Sequence, residues 1–222
     1  MITTRKPKPN LCLFVVITFC FLLVTGCSKA YYSAMEKVGV HKRDILVDRV
    51  ENARDAQTDA QEQFKNALEQ FESVITIENT DLKDAYEKLN AEYKESDEAA
   101  KEVSSRIEKV ESVADDLFAE WENELGLYKN KALQDASARK LIDTQKRYHE
   151  MLASMHRAEK SMDPVLRTFH DNVLFLKHNL NAQAIGSLRS EFSGLKVKIE
   201  ALIKNMNDAI TNSNQFIKDL NQ

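Results

Sequence analysis

Cysteine thiols, histidine rings and closely spaced carboxylates are the groups in this chain that could do chemistry, and one cysteine stands out by its context. Cys27 ends the run Leu23-Val24-Thr25-Gly26-Cys27, at the close of a 14-residue apolar stretch from Leu11 to Val24 that follows Arg5, Lys6 and Lys8. A basic start, an apolar core of this size and small residues at its end make a signal peptide. A membrane-crossing helix needs about 20 apolar residues. With an aliphatic side chain three before the cysteine and small ones beside it, Val24-Thr25-Gly26-Cys27 resembles a lipobox, although leucine is commoner than valine at the first position. There a thiol takes a diacylglycerol thioether and a peptidase cuts between Gly26 and Cys27. Only cysteine supplies that sulfur. The competing readings are an ordinary secretory signal with a chance cysteine, and a short anchor that is never cut.

Ser28 follows the cysteine. Under the sorting rule of enteric Gram-negative bacteria, an aspartate there would favour the inner membrane, so the expected address is the outer membrane, facing the periplasm. Several acyl chains on one cysteine anchor stably, because each buried methylene contributes about 0.8 kcal/mol. Cleavage would leave a mature domain of residues 27–222, and Cys12 and Cys20 would leave with residues 1–26. Once Cys27 is acylated, no thiol remains for catalysis or for a disulfide.

The other reactive groups form no recognisable centre. A di-metal carboxylate site in a helical bundle needs Glu-x-x-His pairs, and none of His41, His149, His156, His170 and His178 has a glutamate three residues before it. His149 and His156 share a helix face, as His170 and His178 roughly do, but two ligands without a third make a poor metal site. There is no glycine-rich nucleophile elbow, phosphate loop or dinucleotide fingerprint. The expectation is a protein that is not an enzyme, with no cofactor and no metal. The signal carries three of the 31 basic residues and none of the 35 acidic ones, so residues 27–222 have a formal charge of −7. That balance, with signs interspersed, excludes nucleic acid as a partner.

The elements that position these residues read as helices. After Cys27 the glycines are Gly39, Gly126, Gly186 and Gly194, and the one proline is Pro164; such scarcity of breakers favours helix. Leu46, Val50, Ala53, Gln57, Ala60, Phe64, Ala67, Phe71 and Val74 step by fours and threes, with Gln57 alone out of character. That is a heptad seam. A second seam runs Leu82, Tyr86, Leu89, Tyr93, Ser96, Ala100, Val103, Ile107, Val110, Ala114, Leu117 and Trp121, with Thr80 or Asp81 as its N-cap. The short break before it predicts an antiparallel hairpin, and a seam of this length spans roughly 60 Å.

Phasing fails between Glu124 and Ala138, which predicts a turn or kink. A weaker third seam follows through Leu141, Gln145, Tyr148, Leu152, Met155 and Met162. Asp163-Pro164 then reads as an N-cap and first helical residue, restarting a shorter helix with Leu166, Phe169, Val173, Leu176 and Leu180 on one face. Asn179 and Asn181 bracket a phase slip, either a turn or a coiled-coil skip. The last seam runs Ile185, Leu188, Phe192, Leu195, Ile199, Leu202, Met206, Ala209, Ser213, Phe216 and Leu220. The expected fold is all-α: an elongated antiparallel helical coiled-coil bundle of about four to five unequal helices. Its seams are satisfied within the chain or by a second copy in a homo-oligomer.

Two places invite a partner. Trp121, with Phe118, Leu125 and Tyr128, is either a docking surface at the tip of a rod or a plug where helices cross. In the segment Pro164 to Ile185, Val173-Leu174 and Phe175-Leu176 are too apolar for a one-sided seam, which predicts a wide buried face. Such a helix is central to the bundle, or Phe175, Lys177 and His178 belong to a partner-binding face. Tyr31 and Tyr32 sit at the lipid headgroups or open the first helix.

The stretches Pro164-Val165-Leu166 and Leu176-Lys177-His178-Asn179-Leu180-Asn181, with the lipobox cysteine and long helices before them, resemble an uncharacterised family of Gram-negative bacterial lipoproteins. The resemblance covers nearly all of residues 27–222. It implies an envelope compartment and a helical architecture, and supplies no catalytic residues. The function expected is that of a lipid-anchored periplasmic coiled coil with a scaffolding or accessory role, its partners the membrane, through the lipid, and an envelope protein. A bundle that binds a small apolar ligand or metal is the alternative.

Overall fold

The computed structural model describes Gly39, residues 41–76 and residues 81–221. The lipobox, Tyr31, Tyr32 and Thr80 lie outside the described residues, and with them the predicted boundary between signal and mature chain. Four helices account for nearly all of the rest: α1 (Lys42–Thr76), α2 (Leu82–Leu125), α3 (Lys131–His178) and α4 (Ala182–Leu220).

The starts of α2, α3 and α4 each have a local cause. Asp81 accepts from the amides of Lys83 and Asp84, Asn130 from those of Ala132 and Leu133, and Asn181 from that of Ala184. These side chains satisfy amide groups that a helix leaves without internal partners. The predicted break at 124–138 is thus a tight turn over residues 126–130, and the phase slip at 179–185 is a turn over 179–181.

The helices run up, down, up, down. Gln61 on α1 donates from Nε2 to Asn207 Oδ1 (2.9 Å) and to the carbonyl of Ile203 (3.2 Å) on α4, while further along α1 the carbonyl of Ile75 accepts from Arg189 Nη2 (2.6 Å). Rising numbers on one helix meet falling numbers on the other. The same holds for α2 and α3, where Phe118 meets Tyr148 and Tyr93 meets Phe169. Toward the α3–α4 end of the bundle, Phe71 stacks on Phe192 (5.8 Å) and meets Phe169 edge-on (6.1 Å), so one layer joins α1, α3 and α4. Aromatic pairs at these distances contribute about 0.5–1.5 kcal/mol beyond the area they bury.

Every predicted seam position of α1 from Leu46 to Val74 is buried, Gln57 included. The α4 seam is buried from Leu195 to Leu220, with Ile185 and Phe192 half-buried and Ala184 taking the first buried place. On α2 the seam holds from Leu89 to Val110, then drifts by one position so that Val113, Ala114 and Phe118 are buried while Leu117 and Trp121 lie at the edge.

The prediction of a helix break at Asp163-Pro164 is overturned. The third helix is continuous for 48 residues with Pro164 inside it, and it spans about 70 Å. Its buried positions are Leu141, Thr144, Tyr148, Met151, Met155, Ala158, Met162, Val165, Phe169, Asn172 and Leu176, joined by Ser154 and Val173. They alternate threes and fours straight through the proline. Pro164 is half-exposed, between exposed Asp163 and buried Val165, so the amide it lacks is missing near the solvent edge. Arg167 pairs with Asp163 across the same turn. Burial of Met162, Val165 and Phe169 outweighs a penalty of about 3 kcal/mol for an interior proline. With that helix undivided, the four helices have 35, 44, 48 and 39 residues. The shorter helix expected to start at Pro164 is the final part of α3, and the four to five helices expected are four.

Two stability outcomes follow. Both amide atoms of Gln57 are buried without a hydrogen-bond partner among the described residues, and an orphaned buried amide costs about 1–3 kcal/mol. Gln57→Leu should therefore raise the unfolding free energy by about 1–2 kcal/mol, read from urea denaturation. Pro164→Ala should raise it by about 1–3 kcal/mol, because alanine restores an amide to a continuous helix. Unchanged or lower stability in that variant would mean that a helix starts at Pro164 after all.

Candidate functional site

The predicted partner-binding residues fall at opposite ends of the bundle. Trp121 lies beside the α2–α3 turn, where its Nε1 donates to Ser137 Oγ (2.8 Å) near the start of α3. Phe175, Lys177 and His178 are in the last turn of the same helix, roughly 55 Å further along it. They cannot form one surface.

At the α2–α3 end the aromatic cluster divides. Phe118 is buried against the Tyr148 ring (5.3 Å, 66° between planes), and Tyr148 also meets Phe216 (6.1 Å). Phe118 is therefore the plug that the sequence offered as one reading of the cluster. Burial, aided by the nearby charges of Asp115 and Glu111, pushes the Tyr148 phenol well above its ordinary range, so it stays protonated and apolar in its role. Trp121 is half-buried and edges an indentation of about 240 Å³ with Leu117, Arg43, Lys140, Thr144 and Leu220. Ligand pockets usually start at about 300 Å³. Beyond it, Leu127 is 72% exposed, Tyr128 42% and Leu133 57%. The turn itself is held by Gln134, whose Nε2 donates to the carbonyl of Leu125 (2.9 Å) at the end of α2.

At the α3–α4 end the expected wide buried face is absent. Val173 and Leu176 are buried, but Leu174 is 43% and Phe175 40% exposed, and Leu180 is exposed beyond them. Lys177 and His178 are also exposed. Helix α3 stays one-sided here because α2 and α4 cover one stripe and nothing described covers the other. Phe175 borders an open groove of about 530 Å³ lined by Thr168, Asn172, Leu188, Glu191 and Lys198. Three of its polar residues are engaged with one another: Lys198 Nζ donates to Thr168 Oγ1 (2.6 Å), and Asn172 Nδ2 to the carbonyl of Thr168 (2.7 Å).

Sequence reasoning missed one cluster. His156 places Nδ1 2.9 Å from Glu159 Oε2 and Nε2 3.1 Å from Glu111 Oε1, so it bridges α3 and α2 between two carboxylates. Glu159, three residues along the helix, was visible as a neighbour; Glu111 was not, because 45 residues separate it from the histidine. The predicted face-sharing of His149 and His156 gathers no ligands. His149 lies beside Tyr148, and His170 beside Tyr93. No group of three or more metal-ligating side chains among the described residues is placed to hold a metal ion.

A family model described as a protein of unknown function (DUF2959) matches residues 31–220. No curated protein and no solved structure matches the chain.

The His156 bridge makes stability depend on pH. Partial burial pushes its pKa down, but the hydrogen bonds and charges of Glu159 and Glu111 push it further up, and the net result lies above the ordinary 6.5. A raised folded-state pKa gives stability that is fully present below the unfolded value, near pH 6.5, and lost as pH rises through the folded value. The ring is 36% exposed, so solvent screening keeps the effect below about 1 kcal/mol. His156→Gln should melt below the wild type at pH 5.5, and the gap should close by pH 8.5. A gap that widens with pH would contradict the bridge.

Proposed function

We propose, for a chain that belongs to a family of unknown function, that it is a lipid-anchored envelope protein whose coiled-coil bundle acts as a scaffold or accessory subunit. The observation that carries this reading is Val24-Thr25-Gly26-Cys27 at the end of a basic-then-apolar leader. It is the one place in the sequence where residue types and order specify a covalent modification. Ser28 directs the anchor to the outer membrane, on its periplasmic face. No described helix is long and apolar enough to cross a membrane, and in this reading the attachment is made by the acyl chains on Cys27.

The bundle supports a mechanical role. Its seams are filled by its own four helices, and its solvent face carries i,i+4 pairs such as Lys88–Asp84, Lys101–Asp97 and Lys131–Asp135. Such pairs contribute a few tenths of a kcal/mol each and keep a long helix soluble. Of the exposed large apolar residues, Leu127, Tyr128 and Leu133 sit at one end and Leu174, Phe175 and Leu180 toward the other, with Ile142 and Val197 isolated on the sides. The alternative, capture of a small apolar ligand, rested on a broadly buried apolar face in α3, and exposure of Leu174 and Phe175 removes that ground. We read the protein as non-enzymatic.

Labelling cells with radioactive or alkyne-bearing palmitate tests the anchor. Wild-type protein should carry label and fractionate with outer membranes, whereas Cys27→Ser should carry none and remain as unprocessed precursor. Equal labelling of both would sink the proposal.

A further inference from the structure

We propose that the turn between α2 and α3 docks into the headgroup layer of the bilayer that holds the anchor, so that the bundle stands end-on to the membrane. This rests on the reading of Cys27 as the lipid attachment.

Antiparallel packing puts the start of α1 and the α2–α3 turn at one end of the bundle, where Arg43 of α1 lines the same indentation as Trp121 of α2 and Lys140 of α3. The polypeptide therefore enters the bundle beside that turn. Cys27 is 15 residues before Lys42, a covalent reach of at most about 50 Å. The opposite end of a helix about 70 Å long lies beyond that reach when the bundle stands upright. Of the two ends, the α2–α3 turn is the one the tether keeps near lipid.

Its chemistry suits that surface. Leu127, Tyr128 and Leu133 are the exposed apolar residues of the turn and the first turn of α3. From Leu125 to Gln134 the chain holds Lys129 and Lys131 and no carboxylate. Lys131 does meet Asp135 (2.8 Å), one turn back from the tip, with its side chain 78% exposed. Leucine and tyrosine side chains partition to the headgroup boundary, and lysines reach past them to lipid phosphates. Glu124 and Asp135 bound this stretch, so Leu127, Tyr128 and Leu133 rather than charge carry the contact. Two lysines are too few for binding on charge alone, which fits a contact that only tethered protein makes.

The test uses the full acylated protein in vesicles of phosphatidylethanolamine and phosphatidylglycerol at 3:1. Acylation of Cys27 leaves no other thiol in residues 27–222, so Tyr128→Cys and, separately, Leu180→Cys each accept one environment-sensitive fluorophore. Docking predicts a severalfold rise in emission with a blue shift at position 128, against protein in detergent-free buffer with its acyl chains cleaved, and no change at 180. Leu127→Glu with Leu133→Glu should abolish the rise at 128 while the protein still floats with the vesicles. Three results would overturn the proposal: a probe at 128 that stays in water on a floating protein, equal rises at 128 and 180, or a rise only with native outer-membrane vesicles that carry their proteins. The first leaves the anchor intact, the second lays the bundle flat, and the third assigns the tip to a protein. Mass spectrometry showing no acyl group on Cys27 would instead overturn the anchor reading, and end-on docking with it.

Discussion

The uninterrupted buried stripe on α3, from Leu141 to Leu176, is the constraint on which the bundle depends. Helices α2 and α4 both pack along it, and Phe71 of α1 reaches it at Phe169. A stripe that alternates threes and fours stays in line only while the helix remains unbroken. Ending the helix at Asp163 would rotate everything after Pro164 away from its partners, and the layer formed by Phe71, Phe169 and Phe192 would be lost. Continuity through the proline is therefore enforced from outside the segment, by burial on both sides of it.

The polar residues inside the bundle show how a core of single stripes keeps its register. Thr144, Ser154, Asn172 and Ser213 each donate to a carbonyl three or four residues before them on their own helix. Short side chains can turn back in this way, so they fill thin layers without needing a partner across the bundle. Gln57 has no such bond, yet Gln61, one turn later, pins α1 to α4 through Asn207 and the carbonyl of Ile203. A buried amide lowers stability but penalises shifted pairings more, as polar residues do at coiled-coil seams. Arg189 adds an end-stop by donating to the Ile75 carbonyl in the last turn of α1.

An even number of antiparallel helices also distributes function. The sides of the bundle carry charge pairs and only isolated exposed apolar residues, Ile142 and Val197, while Leu127, Tyr128 and Leu133 cluster at one end and Leu174, Phe175 and Leu180 toward the other. Chain direction makes these ends unequal, since the polypeptide joins the body at only one of them. A sequence that looks uniform along its heptads thus acquires two distinct poles through topology alone.

The seams of α1 and α4 were legible because strong apolar residues recur there at heptad spacing, and nearly every position named from the sequence is buried. In α3 the pattern misled. Leu152 and Leu166 lie beside the true seam and are half-buried, while Thr144, Ala158 and Asn172 occupy it. Size and polarity alone pointed to the wrong neighbours, and proline chemistry pointed to a break. The sequence by itself determined the helical class, the cap at Asp81 and the candidate modification at Cys27, since each depends on residues within a few positions of one another. Tertiary structure decided the continuity through Pro164, the separation of Trp121 from Phe175, the exposure of Leu174, and the bridge from His156 to Glu111. These depend on free energy summed over side chains distant in sequence, which local spacing does not record.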